Sequence, residues 1–285
     1  MAAIPTPKRT LSERFWDWAR TGSLRTFFGF AGDIGEVTLS FFGTFGAVSR
    51  LTWAAFMAAF TRPWEVRALV RQVYRLGYQS LSVGFLTAFF TGAVLALQFG
   101  HSLERFGAST YVGSVVSTAF VMELGPVLTA LLVGGRVAAG IAAEIGSMKV
   151  TEQIDAIRCL GADPINKLIA PRVAACLIGM PILALMADVV GITGGGIVAV
   201  FEQGLTLPYY ADQVGRALDL GSVGHGLIKS VFFGYFFGIV GCFQGLQTRG
   251  GTEGVGEATT DAVVKTSITI LIGDFVLGKV LLPWL

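Results

Sequence analysis

Charged residues are scarce in this chain. Asp, Glu, Lys and Arg make up 14% of its 285 residues, whereas soluble domains carry about 25%. Hydrophobic residues account for 53%, and the mean hydropathy is +0.67. The net charge of +2 is too small to predict a nucleic-acid-binding surface, so no nucleic-acid partner is expected. This composition is typical of a single integral membrane domain.

The residues and motifs of common enzymes are also few. The chain has two histidines and three widely spaced cysteines without a CxxC pair, which predicts neither a disulfide framework nor a metal site. HExxH and GxSxG are absent, which argues against a metalloprotease and a typical serine hydrolase. We therefore predict a protein that is not an enzyme and has no catalytic residue.

A phosphate-binding loop is missing as well. No GxxxxGK[ST] sequence occurs, so the chain cannot supply this loop for ATP. We expect no cofactor in this chain. If ATP drives its activity, a partner subunit must bind the ATP and Mg²⁺.

Long apolar stretches dominate what is present. A helix needs about 20 apolar residues to cross the hydrocarbon core of a bilayer. Five stretches reach that length, at residues 80–100, 111–134, 170–201, 223–247 and 263–283. They predict an all-α membrane protein with five transmembrane helices.

The charges of the connections predict the orientation. Short loops rich in Lys and Arg stay on the cytoplasmic side. The 136–172 connection is basic, whereas 101–110 and 202–222 have no basic excess. This pattern predicts a cytoplasmic N-terminus, an external C-terminus and a cytoplasmic 136–172 segment.

The first sixty residues are predicted to lie at the membrane surface. Residues 1–33 interleave basic and aromatic side chains, which favours an amphipathic interfacial helix over a loosely ordered tail. The remainder, 34–285, would form the membrane domain. Within it, 37–60 contains Arg50 and has arginines on both flanks, so we expect an interfacial or re-entrant segment.

One amphipathic helix of about three turns is predicted within 144–160. Val150, Ile154 and Ile157 form its apolar stripe, and polar side chains lie off that stripe. Gly161 would follow the end of the helix, and Pro164 would prevent a helix from resuming nearby. Periodicity alone fits either a lipid surface or a docking site for a partner.

Four ionisable residues fall inside predicted spans, where charge is expensive and commonly functional. They are Glu123, which precedes a Gly125-Pro126 kink, and Asp188, Lys229 and Asp274. Lys229 could pair with Glu123 or Asp274, either as a structural clasp or within a transport pathway. Three GxxxG sequences, at 191/195, 234/238 and 241/245, are interpreted as helix packing sites.

Several ordered motifs resemble MlaE-type permeases, the membrane subunits of ABC systems that move lipids between membranes. The resemblance extends from about residue 25 to the end. It rests on Met-Glu-Leu-Gly-Pro (122–126), Gly-Arg (135–136), Ala-Glu-Ile-Gly-Ser-Met (143–148), Thr-Glu-Gln-Ile-Asp-Ala (151–156) and Asp-Phe-Val-Leu (274–277).

This resemblance implies a phospholipid permease in the inner membrane with a periplasmic C-terminus. It implies a homodimer with ATP-binding ABC subunits, a periplasmic MCE-domain protein and, in many systems, a STAS-domain protein. The segment 144–160 would be the coupling helix that docks on the ATPase, with contacts from Glu144, Lys149, Glu152, Gln153, Asp155 and Arg158. A lipid cavity would be lined by Glu123, Lys229, Asp274, Phe85, Phe89 and Phe90.

Two other functions fit parts of the pattern. A proton-coupled secondary transporter would use Glu123, Asp188 and Asp274 as a relay, although such carriers commonly contain an inverted repeat and none is visible here. A membrane scaffold without a pathway would tolerate apolar replacements of Glu123 and Asp274.

Overall fold

The computed structural model describes residues 39, 42–58, 69–74, 81–281 and 283. These residues form helices and turns and contain no strand, which confirms the all-α prediction. The predicted interfacial segment 1–33 lies outside the described residues. The chain divides into two compact units, Met1–Leu51 and Thr52–Leu285.

Nine helices are defined among the described residues. We label them α1 (42–58), α2 (69–74), α3 (Leu81–Glu104), α4 (Ser109–Val150), α5 (Gln153–Cys159), α6 (Ile165–Phe201), α7 (Leu207–Ala217), α8 (Leu220–Gln247) and α9 (Gly251–Leu281). Residues 42–58 are thus helical, and their interfacial or re-entrant placement stays a prediction.

Four of the described helices, α3, α4, α6 and α8, are long and apolar enough to cross a membrane. The fifth predicted span forms α9, whose 31 residues also exceed the required length. Its apolar part, from Val263 onward, carries Lys265, Asp274 and Lys279. Because of these charges, α9 is not among the four helices that are apolar enough to cross a membrane.

Helices α3 and α6 pack through small residues. Every fourth residue of α3 from Gly84 to Gly100 is Gly or Ala and is buried. A Cβ placed on Gly92 would lie 1.9 Å from the carbonyl oxygen of Gly191, and one on Gly194 would lie 2.3 Å from that of Phe89. Only glycine permits such an approach of two helix backbones.

The other GxxxG sequences serve the same purpose within the chain. A Cβ on Gly234 of α8 would lie 2.5 Å from the carbonyl oxygen of Cys176 in α6. One on Gly241 would lie 2.9 Å from that of Ala138 in α4. The interpretation of these motifs as helix packing sites is therefore confirmed.

Helix α4 is irregular in the region where the sequence predicted a kink. Its α-helical parts are interrupted by π-helical turns at Phe120–Leu124 and Ala130–Gly134, on either side of Pro126. Pro126 has no N–H to donate, and the wider π turns accommodate the local mismatch in hydrogen bonding.

The predicted three-turn coupling helix is shorter than expected. Helix α4 continues to Val150, and Glu152 adopts a left-handed backbone conformation with φ of 60° before α5 begins at Gln153. Val150 therefore belongs to α4 rather than to α5. The stripe of Val150, Ile154 and Ile157 does not lie on one continuous helix, and this prediction was wrong. Gly161, with φ of 75°, follows the end of α5 as predicted. The expectation that Pro164 prevents a helix from resuming nearby was wrong, because α6 begins at Ile165, immediately after it.

Candidate functional site

Three helices converge on a buried lysine. Lys229 of α8 donates hydrogen bonds to Glu123 Oε2 of α4 and, over 3.0 Å, to Asp274 Oδ1 of α9. The sequence left open which carboxylate Lys229 would meet, and the structure pairs it with both. We call these three residues the charged triad.

The members of the charged triad differ in exposure. The Lys229 side chain is fully buried, whereas the side chains of Asp274 and Glu123 are 25% and 49% exposed. A buried ammonium requires paired charges, and two carboxylates provide them. With all three residues ionised, the triad has a formal charge of −1, and it presents this charge at the surface of the chain.

Along the helices, the triad lies nearer to α7 than to α5. At a helical rise of 1.5 Å per residue, Glu123 is about 21 Å from Ser109 and about 40 Å from Val150. Lys229 lies about 14 Å from Leu220, where α8 begins after α7. Both residues are thus well inside spans, and the triad is remote from α5.

His225 is a neighbour of the triad that the sequence analysis did not select. It lies one helical turn before Lys229, is 4% exposed, and interacts electrostatically with all three triad residues. The Met122 backbone lies within reach of one ring nitrogen, and the other has no hydrogen-bond partner. The spacing of four residues between His225 and Lys229 was a usable signal, because such residues share a helix face.

Asp188 does not join the triad. Its carboxyl is buried against α4, where a Cβ on Gly125 would lie 1.7 Å from Oδ1, and this oxygen has no hydrogen-bond partner. Among the described residues, no contact links Asp188 to Glu123 or Asp274.

The predicted phenylalanine wall is located on α3. Phe89 and Phe90 are in edge-to-face contact, with ring centroids 5.5 Å apart, and Phe90 is exposed. The backbone of Phe89 faces α6 at Gly194. Phe85 lies one turn before Phe89, and among the described contacts none of these three rings reaches the triad.

Helix α5 presents a polar surface at the end of α4. Ile154 is 3% exposed and is the buried residue of this helix, whereas Gln153 and the ion pair between Asp155 and Arg158 are exposed. That pair spans 2.9 Å. Glu152 is exposed in the turn before the helix. One buried apolar residue, Ile154, thus anchors α5, while the polar side chains of this helix face outward.

Two of the residues expected to contact the ATPase lie instead in α4 and bond within the chain. Glu144 accepts a hydrogen bond from Arg172 at the start of α6, over 3.2 Å. Lys149 donates to the backbone carbonyl of Leu246 near the end of α8. Both hydrogen bonds stabilise the end of α4, from which α5 extends.

An apolar cavity of about 510 Å³ lies between α6 and α7, at the opposite end of α6 from α5. Tyr210 of α7 lines it and donates its hydroxyl to the carbonyl oxygen of Ile192 over 3.0 Å. Burial raises the pKa of Tyr210 to about 12. This hydroxyl therefore stays protonated and fixes α7 to α6.

The part of the chain that the structure describes contains no evident metal site. No group of three or more His, Cys, Asp or Glu side chains there could hold a metal ion. In the triad, the ammonium of Lys229 lies between the two carboxylates.

The sequence is similar to known transport proteins along most of its length. The family described as Permease MlaE matches residues 69–280. A "Probable ABC transporter permease protein" of Rickettsia typhi is 40% identical over 248 residues, 87% of this chain and 96% of that protein.

Two further relatives carry more specific names. "Protein TRIGALACTOSYLDIACYLGLYCEROL 1, chloroplastic" of Arabidopsis thaliana is 40% identical over 213 residues, 75% of this chain and 61% of that protein. "Intermembrane phospholipid transport system permease protein MlaE" of Haemophilus influenzae is 34% identical over 253 residues, 88% of this chain and 97% of that protein. The matched residues include helices α3 to α8 and the charged triad. The chain therefore belongs to the MlaE family of ABC transporter permeases.

Proposed function

We propose that the chain is the permease subunit of a transporter that moves phospholipid between the inner and outer membranes, driven by a separate ATPase. The observation that carries this proposal is the exposed polar surface of α5, fastened by Ile154 and braced at its base. The name of the Haemophilus influenzae relative supports phospholipid as the substrate.

Helix α5 is the docking point for the ATPase in this proposal. Its polar side chains project from the end of α4, and α4, α6 and α8 meet at its base through the bonds of Glu144 and Lys149. A displacement of α5 by the ATPase would therefore be transmitted to three spans at once. Because the sequence contains no phosphate-binding loop, an ATP-driven transporter would need a partner subunit that binds the nucleotide.

The charged triad handles the lipid headgroup in the same proposal. Glu123 and Asp274 expose charge inside predicted spans, and acyl chains would contact apolar surfaces such as that around Phe90. A homodimer would cover the exposed side of the triad and enclose a lipid cavity. An MCE-domain protein would receive or deliver lipid on the periplasmic side, and a STAS-domain protein would bind the ATPase.

Charge reversal on α5 tests the coupling. In the variant with Glu152→Lys and Asp155→Lys, we expect the amount of ATPase that co-purifies with the permease to fall at least about tenfold, equivalent to about 1.4 kcal/mol of binding. ATP-dependent lipid transfer between donor and acceptor vesicles should fall with it. Both residues are exposed, so the fold should be retained.

A matched control makes the same changes at the other end of α6. Glu202→Lys with Asp212→Lys also reverses two exposed carboxylates, one of which pairs with Arg216 as Asp155 pairs with Arg158. The control should keep its ATPase. Normal ATPase binding and lipid transfer by the α5 variant would refute the coupling assignment.

The proton-coupled alternative gains little support from the described contacts. Glu123 and Asp274 are neutralised in part by Lys229, and Asp188 is separate from them. Transfer that persists without ATP and stops when the proton gradient is dissipated would favour that alternative over the ATP-driven one.

A further inference from the structure

We infer that the charged triad is an ammonium-binding site that selects zwitterionic aminophospholipids, with Glu123 as the principal acceptor. This inference rests on the proposed function and adds a substrate class to it. The site is where α4, α8 and α9 meet, and its ligand is the ammonium of a lipid headgroup.

The hydrogen bonding of the triad leaves a carboxylate oxygen available. Lys229 bonds to Oε2 of Glu123 and Oδ1 of Asp274, so Oε1 of Glu123 has no partner among the described residues. A half-exposed carboxylate inside a membrane span is costly unless a cation approaches it. One ammonium would bring the formal charge of the triad from −1 to zero.

The space beside the free oxygen is kept open by Gly278. This glycine lies on α9 one turn after Asp274, and a Cβ placed on it would lie 3.7 Å from Glu123 Oε1 and 3.4 Å from Lys229 Nζ. Alanine would therefore make only ordinary contacts. A longer side chain would cover Glu123 Oε1 and block the approach of a headgroup.

His225 is a second and independent sign that the site is incomplete. Its ring is 4% exposed, keeps at least one nitrogen without a hydrogen-bond partner, and lies on the triad face of α8. A buried polar group without a partner costs about 1–3 kcal/mol. An ammonium held by Glu123, or a water that accompanies it, would give this ring a partner.

The chemistry of the triad favours an ammonium over a metal ion. The described residues contain no cluster suited to a metal, and Lys229 already lies between the two carboxylates. The net negative charge disfavours an anionic headgroup without a compensating ammonium. Phosphatidylethanolamine fits these requirements, whereas phosphatidylglycerol does not.

The test uses the complete transporter, with the full-length permease, in nanodiscs of equimolar phosphatidylethanolamine and phosphatidylglycerol. Lipids that remain bound after extraction into detergent are quantified by mass spectrometry. We expect the wild type to retain phosphatidylethanolamine at least about fivefold over phosphatidylglycerol. In Glu123→Gln this ratio should fall to near one, with total bound lipid largely retained.

Position 278 provides a test that leaves the triad residues in place. Gly278→Leu should abolish the preference by covering Glu123 Oε1, whereas Gly278→Ala should keep it. Asp212→Asn, at an exposed ion pair on α7, is the control for a lost carboxylate and should match the wild type.

Three outcomes would overturn the inference. They are a wild type without headgroup preference, a preference that survives both Glu123→Gln and Gly278→Leu, and an equal loss of both lipids in these variants.

A vesicle assay separates this inference from the proposed function. ATP-dependent transfer of both lipids at equal rates by the wild type would refute the headgroup selectivity and leave the proposed function intact. If the wild-type complex transferred neither lipid with ATP, the proposed function itself would be refuted.

Discussion

The backbones of Gly92 in α3 and Gly191 in α6 are in direct contact. A Cβ on Gly92 would lie 1.9 Å from the carbonyl oxygen of Gly191 and 3.0 Å from its Cα. Because the atoms on the other side belong to a helix backbone, they cannot move aside as a side chain could. The contact holds two candidate membrane spans together without any polar side chain.

Gly92→Ala should therefore separate α3 from α6. We expect a loss of at least about 1–3 kcal/mol of stability, the range found when extra methyl groups are forced into packed cores. The measurement is the melting temperature of the purified protein in detergent. Gly140→Ala in α4 is the control, because no atom lies within 4 Å of a Cβ at that position.

An unchanged melting temperature in Gly92→Ala would show that α3 and α6 are farther apart than described. The Gly140→Ala control should be neutral or stabilising by about 0.5–1 kcal/mol, since alanine favours the helix over glycine.

Lys229→Met should destabilise the bundle by leaving Glu123 and Asp274 without their cation. Removal of one partner from a buried ion pair costs about 3–5 kcal/mol, and the partial exposure of the carboxylates places this case at the lower end. Thermal unfolding of the purified protein measures the effect. Additional Glu123→Gln and Asp274→Asn changes should restore most of the loss, because no buried charge then remains unpaired.

Arg216→Met is the matched control for this prediction. It removes the cation of an exposed pair with Asp212, and such pairs contribute about 0–1 kcal/mol. If Lys229→Met and Arg216→Met had equal effects, the triad would be no more important for stability than a surface ion pair.

Asp219 should make the start of α8 sensitive to acid. Hydrogen bonds from the side chain and the backbone amide of Ser222 lower the pKa of the Asp219 carboxyl below its unfolded value. The stabilisation is therefore present above the unfolded pKa of about 3.9 and is lost as the pH falls through the lower pKa of the folded state. The acceptor is Asp219 Oδ1, which lies 2.7 Å from the Ser222 amide.

Hydrogen exchange of the first turn of α8 measures this prediction. At neutral pH, the wild type should be better protected than Asp219→Ala. The difference should shrink once the pH falls below the unfolded pKa. Asp219→Asn, which keeps an acceptor that does not titrate, should differ little from the wild type at neutral pH and change less on acidification. A protection difference that stays constant from neutral to acidic pH would contradict the role of the ionised carboxylate.

Much of the fold follows from local patterns. Apolar runs of sufficient length predicted α3, α4, α6 and α8, and the GxxxG sequences predicted close helix packing, because both depend on residues near each other along one helix. Gly161 marked the end of α5 for the same reason. The length of α5 was mispredicted because the periodic stripe that includes Val150 continues across a break in the backbone at Glu152.

The candidate site was predicted in part. Glu123, Lys229 and Asp274 were selected because each is a charge within an apolar run. Glu144 and Lys149 were assigned to the partner surface by their place in a motif, and their inward bonds to Arg172 and Leu246 depend on helices remote in sequence. His225 was passed over, since its burial becomes evident only when α4 packs on α8.

The sequence by itself determined that this protein is a bundle of membrane helices, without a phosphate-binding loop and with charges at costly positions. Only the tertiary structure decided that Lys229 meets a carboxylate 106 residues before it and another 45 residues after it. The physical reason is the distance along the chain over which each effect acts. Hydrophobicity and helix periodicity act over a few turns, whereas the partner of a buried charge depends on which helices pack together and in what register.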